Sequence, residues 1–176
     1  MRILRTYLGR HSGVRRGQLT ERETAMLVVA AGRRAGYTVR TECIVFGRKR
    51  SGAPGRGEID VGWYNCDDDT IRVAWEIDGQ DASEEHFLGY EGKDTLGNKA
   101  KLLASEAPLK VQVLYSLKNN LRKKRDSKLD CIRHWLGSNV TVVTDEELIR
   151  RGGIERWVTA ARLVRVSNTP RGKLVS

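Results

Sequence analysis

Two runs of the chain, Gly57-Glu58-Ile59-Asp60-Val61-Gly62-Trp63-Tyr64 and Ile71-Arg72-Val73-Ala74-Trp75-Glu76-Ile77-Asp78-Gly79, alternate apolar and polar residues with period two. That alternation predicts strands with one buried face. Ile59, Val61 and Trp63 fall on one face of the first, and Val73, Trp75 and Ile77 on one face of the second. Asn65-Cys66-Asp67-Asp68-Asp69 supplies a turn between them, so a hairpin is expected. Upstream, Thr20-Glu21-Arg22-Glu23 opens a helix running to about Ala35, with Met26, Leu27, Val29 and Ala30 apolar and Gly36 as its stop. Tyr37 to Phe46 reads as a first strand, and Gly47 to Arg56 as a glycine-broken loop.

Downstream, Ser83-Glu84-Glu85-His86 caps a helical turn within a stretch rich in breakers. A helix from about Asp94 to Ala107 places Leu96, Ala100, Leu103 and Ala107 along one stripe. Lys99 lies at the edge of that stripe and Lys101 further toward solvent. Pro108 stops the helix, and Leu109 to Leu117 reads as a largely buried strand. A helix through Leu129, Ile132, Trp135 and Leu136 follows, then a short strand over Val140 to Thr144. Asp145 is expected to cap a last helix that breaks at Gly152-Gly153. Residues 1–19 read as a flexible basic arm, 20–166 as a single domain and 167–176 as a tail.

The polar faces of the hairpin carry the candidate chemistry. Glu58 and Asp60 share one face of the first strand, and Glu76 and Asp78 one face of the second, so up to four carboxylates would gather on one surface. Like charges that close raise each other's pKa, and a bound cation relieves them. Oxygen ligands suit magnesium. Glu23 has two readings: a capping box with Thr20, or a further carboxylate for the metal. His86 is a candidate base or ligand, although a lone exposed histidine is commonly neither.

Composition changes the picture through the placement of charge. The net charge is +10, yet residues 58–94 hold twelve acidic and two basic side chains, which leaves 30 basic and 10 acidic residues elsewhere. An acidic centre in a basic body suits a metal-dependent enzyme acting on a polyanion. Arg48, Lys49, Arg50 and Arg56 are candidate phosphate contacts, as are Arg122, Lys123, Lys124 and Arg125, for which a solvated helix face is the alternative. Asp67-Asp68-Asp69 lacks the glycine and distal glutamate of an EF-hand loop. Three widely spaced cysteines, with no CxxC pair, argue against a disulfide scaffold or a zinc site. With no run of 18 apolar residues and no signal-peptide core after Met1, a cytoplasmic protein away from membranes is expected.

The element order, with Asp60 followed by Glu76-Ile77-Asp78, resembles the PD-(D/E)XK nuclease superfamily over roughly residues 20–117. The resemblance implies an α/β restriction-endonuclease-like core, αβββαβ plus a C-terminal αβα, with a mixed central sheet flanked by helices. It also implies a nuclease that hydrolyses phosphodiester bonds, in DNA before RNA, with Mg²⁺ or Mn²⁺ held by Asp60, Glu76 and Asp78. Glu23 sits where some members place an extra metal-binding acid. A homodimer is one arrangement such enzymes use. The departure is Asp78, which stands where the family has a catalytic lysine. Either the cation comes from the following helix, with Lys99 the first candidate and Lys101 the second, or the site has lost it. In the latter case the chain is a nucleic-acid-binding protein on the same fold. A subunit of a larger recombination or defence assembly is a third reading.

Overall fold

The computed structural model describes residues 19–79, 82–89, 96–115, 122–150 and 153–167, excepting the side chains of 122–126 and 162–167. The expected arm up to residue 18 and the tail beyond Ser167 lie outside them. The elements run α1 (Glu21–Arg34), β1 (Thr38–Arg48), β2 (Pro54–Tyr64), β3 (Ile71–Gly79), α2 (Glu84–Leu88), α3 (Asn98–Ala104), β4 (Leu109–Tyr115), α4 (Arg122–Leu136), β5 (Thr141–Thr144), α5 (Asp145–Ile149) and α6 (Glu155–Ser167). The protein is α/β, with a five-stranded mixed sheet in the order β1-β2-β3-β4-β5 and helices flanking it. β1, β2 and β3 pair antiparallel, whereas β3, β4 and β5 pair parallel. No helix among the described residues is long and apolar enough to cross a membrane.

The sheet is covered on both faces. On one side Val61, Trp63, Val73, Trp75 and Ile77 pack with Val28 of α1 and Trp157 of α6. On the other, Ile59, Ala74 and Leu114 pack with Phe87 of α2, Leu102 of α3 and Ile132 of α4. Burying a large aliphatic or aromatic side chain contributes about 1.5–3 kcal/mol, so these two layers supply most of the drive to fold. An aromatic column crosses the first layer. Tyr37 stacks on Trp63 at 5.7 Å, Trp63 meets Trp75 at 5.0 Å, and Trp75 meets Trp157 edge-on at 5.7 Å. α1 closes on it through Gly32, where any Cβ would lie 2.5 Å from the Trp63 indole nitrogen.

Several expectations change. The loop expected over Gly47–Arg56 shrinks to 49–53, because β1 runs on to Arg48 and β2 begins at Pro54. The glycines there are close-approach positions: a Cβ on Gly47 would lie 2.9 Å from Ala104 Cβ, and one on Gly57 2.6 Å from Lys101 Cγ. The helix expected from Asp94 is shorter at both described ends. It buries Asn98 and Leu102 and leaves Leu103 exposed, so its expected stripe is rotated. In α1 the fully buried positions are Thr24, Val28 and Gly32, while Met26 is exposed. The last cap belongs to Thr144, which forms a capping box with Glu147; Asp145 is buried and accepts the Leu19 N–H at 3.2 Å.

The alternation of β2 also breaks. Ile59 packs in the α3-side core, whereas Val61 and Trp63 pack in the α1-side core. Between the register pairs Thr41–Val61 and Cys43–Ile59 stand Glu42 and Asp60, and Glu42 has a left-handed φ of 53°. A residue in that region reverses the pleat locally. Asp60 therefore sits where the strand changes faces.

Candidate functional site

β2 and β3 pair only from Val61–Trp75 to Tyr64–Ile71. Beyond that point the strands part, and β3 continues against β4 through Asp78–Leu114. The Asp60 side chain fills the opening: its carboxylate accepts the Ile77 backbone N–H at 2.6 Å. A side chain thus replaces the ladder bond that the departing strand no longer supplies. Glu76, one residue earlier on β3, is 1% exposed.

The cation beside Glu76 comes from α3. Lys101 Nζ donates to Glu76 Oε2 at 2.6 Å and to the Glu58 carbonyl at 3.3 Å. Its methylene stem passes under Gly57, and this explains the glycine there. Glu76 Oε1 is buried without a hydrogen-bond partner. Burial pushes the Glu76 carboxyl well above its usual range; Lys101 opposes that, and the Asp60 charge adds to it. Burial likewise raises Asp60, to about 6, against the opposing Ile77 N–H and Lys101, with Asp78 and Glu21 as further repelling charges.

Asp78 has different surroundings. One oxygen faces His86 Nε2 at 2.5 Å, and the other accepts from Asn98 Nδ2 and, at 2.7 Å, from Gln112 Nε2. Asn98 and Gln112 are buried and bond to each other at 3.1 Å. The hydrogen bond to Asp78 raises the His86 pKa against the effect of burial. Asp78 is thus held by three neighbouring side chains, and His86 is held by Asp78.

The expected site residues separate accordingly. Asp60, Glu76 and Lys101 come together, with Asp78 alongside. Lys99, the first candidate for the relocated cation, instead donates to the Trp135 carbonyl at 2.9 Å. The rotated setting of α3 exchanges the two lysines. Glu23 closes the capping box on Thr20, its carboxylate accepting the Thr20 N–H at 2.8 Å. Glu58 points to the surface and accepts from Arg56 at 3.3 Å, so the expected group of four carboxylates loses one member. Arg48 donates to the Gly52 carbonyl at 2.9 Å across its turn. The side chains of Arg122, Lys123, Lys124 and Arg125 lie outside the described residues. Among the described residues no three His, Cys, Asp or Glu side chains form a ready-made metal group.

The acid that α1 brings to this region is Glu21. It accepts the Tyr115 hydroxyl at 3.2 Å and contributes to the raised Asp60 pKa. Burial, then Glu21, raises the Tyr115 pKa. The signal was in the spacing: Glu21 stands three, seven and eleven residues before Thr24, Val28 and Gly32, the buried stripe of its helix. Thr and Gly at two of those positions hid the stripe from a search for apolar residues. No family model, curated protein or solved structure matches the chain.

Proposed function

We propose that this chain is a metal-dependent nuclease that hydrolyses phosphodiester bonds, in DNA before RNA, with its site at Asp60, Glu76 and Lys101. The observation carrying this reading is the buried Glu76 carboxylate, which has one oxygen on Lys101 and the other without a partner, beside a second partly buried acid. An unpaired buried acceptor costs about 1–3 kcal/mol, a cost that a bound cation would remove. A divalent cation fits this oxygen donor set, with Glu76 Oε1 and the Asp60 carboxylate to hold it. When bound, Mg²⁺ or Mn²⁺ would neutralise phosphate charge and acidify water.

The chain's own groups divide the remaining work. Lys101 takes the role of the family's lysine from a different element: a positioned ammonium that stabilises charge developing on the phosphate. The Ile77 N–H fixes the Asp60 carboxylate in orientation. Asp78 stands at the motif lysine's position and anchors the half-exposed His86. A second reading, an inert nucleic-acid-binding protein, is favoured by the Lys101–Glu76 pair, since that ion pair already neutralises one carboxylate.

Incubation of plasmid, linear and single-stranded DNA with Mg²⁺ or Mn²⁺ decides between the two readings. Wild type is expected to cut, EDTA to stop it, and Asp60→Ala and Glu76→Ala each to abolish it. DNA bound in every metal but never cut would establish the binding protein instead.

A further inference from the structure

Between the β1–β2 hairpin arm and α3 lies a hollow of about 490 Å³, within the size range of small-ligand sites. Its apolar wall includes Phe46, Leu88 and Leu103, and Arg48 and Arg50 bring cations to it, with Glu106 the acid among its described lining residues. Phe46 is 75% exposed and Leu103 43% exposed. α3 serves both places: Leu103 and the stem of Lys99, whose ammonium is held by the Trp135 carbonyl, line the hollow, while Lys101 crosses to Glu76. The arm carrying Phe46 is pinned to the same helix by Gly47 and Gly57, so hollow and acidic site share one scaffold.

A basic surface alone would bind any phosphate backbone. An exposed phenyl ring among the cations adds nothing for a regular duplex, whose base faces are stacked on one another. It adds stacking energy only for a base whose face is free. We infer that this hollow receives an unpaired nucleotide of the substrate, its base against Phe46 and Leu103 and its phosphates on Arg48 and Arg50. The inference rests on the reading of this chain as a protein that acts on nucleic acid. It makes the substrate class single-stranded DNA, or DNA with a single-stranded segment.

Fluorescence anisotropy on the full chain in EDTA tests this without cleavage, using a labelled oligothymidylate and a blunt duplex of equal length at one salt concentration. The single strand is expected to bind at least tenfold tighter than the duplex. Phe46→Ala should weaken single-strand binding roughly tenfold and leave duplex binding unchanged, and Phe46→Trp should restore it. Equal affinity for both DNAs, or a Phe46→Ala protein that binds the single strand as wild type does, overturns the inference. Thermal melting of each variant verifies that this exposed position has left the fold intact. Failure of the nuclease reading shows separately, as absence of cutting in metal while this binding pattern persists.

Discussion

Asp60 and Asp68 stand at opposite ends of one hairpin, and their environments push them in opposite directions. Asp68, in the turn, accepts the Thr70 N–H at 3.0 Å, the Thr70 hydroxyl at 2.6 Å and the Asn65 amide at 2.9 Å. It also pairs with Arg72 at 3.1 Å. Those bonds, the Thr70 hydroxyl first, bring its pKa down to about 2. Asp60, at the open end, has the Ile77 N–H as its hydrogen-bond donor, and burial lifts its pKa to about 6. A carboxylate whose oxygens are filled by local donors shapes a turn. One that is desolvated beside another acid is destabilised as an anion, and a cation would relieve it.

The sharpest way to break the contrast is to remove Lys101, the cation paired with Glu76 at the open end. Lys101→Ala leaves Glu76 buried without its counter-ion and should cost about 3–5 kcal/mol at pH 8, read from urea denaturation. Lys101→Ala combined with Glu76→Gln should recover much of that loss. If the single variant is as stable as wild type, the ion pair is not what keeps Glu76 charged.

Adding a cation should sharpen the contrast from the other side. At a concentration a hundredfold above its dissociation constant, Mg²⁺ should stabilise wild type at pH 8 by about 2.7 kcal/mol and shift the melting temperature upward. Asp60→Asn should show little of this shift. A shift of equal size in the variant would move the metal away from Asp60.

The pH dependence follows with its sign. The folded state holds the Asp60 proton more tightly than the unfolded chain, so this group's contribution is fully present below about pH 3.8. It is lost as pH rises through about 6. Wild type should therefore lose about 2 kcal/mol relative to Asp60→Asn across that window, after discounting for partial exposure. Asp68 works in the reverse sense. Its contribution is present above about 3.8 and disappears as pH falls through about 2, so Asp68→Ala should lower stability at neutral pH and progressively less as pH approaches 2. This effect should be the smallest of the set, because the turn is open to water.

The two ends of the hairpin were not equally legible in the sequence. The turn, β3 and the α1 cap were readable because each depends on neighbours a few residues apart: alternation, an Asn–Asp turn, a Thr-x-x-Glu box. The open end depends on partners far along the chain. Nothing between Gly57 and Tyr64 announces that Glu42, opposite Asp60, is left-handed, or that β2 parts from β3 there. α3 has seven residues, fewer than two full turns, so its sequence could not fix which lysine faces the sheet. The glycines of the arm carried a second ambiguity: they read as breakers when what they permit is contact with Lys101 and Ala104. Asp60 and Glu76 were visible as acids on strands, and Lys101 as the second of two candidate cations on the next helix; which of the two lysines meets Glu76 was not.

The aromatic column has a consequence for how this molecule can be watched. Trp63, Trp75 and Trp157 lie in ring contact in one core, so their near-ultraviolet transitions couple and their emission is pooled. That shared signal reports the integrity of the whole sheet. Trp135 stands apart on α4, 6.0 Å from Phe87, and its carbonyl holds Lys99. It is an independent lamp on the α3 side of the molecule. With two optical channels in one chain, a ligand that disturbs only α2, α3 and α4 would change one colour of the protein's light and leave the other as it was.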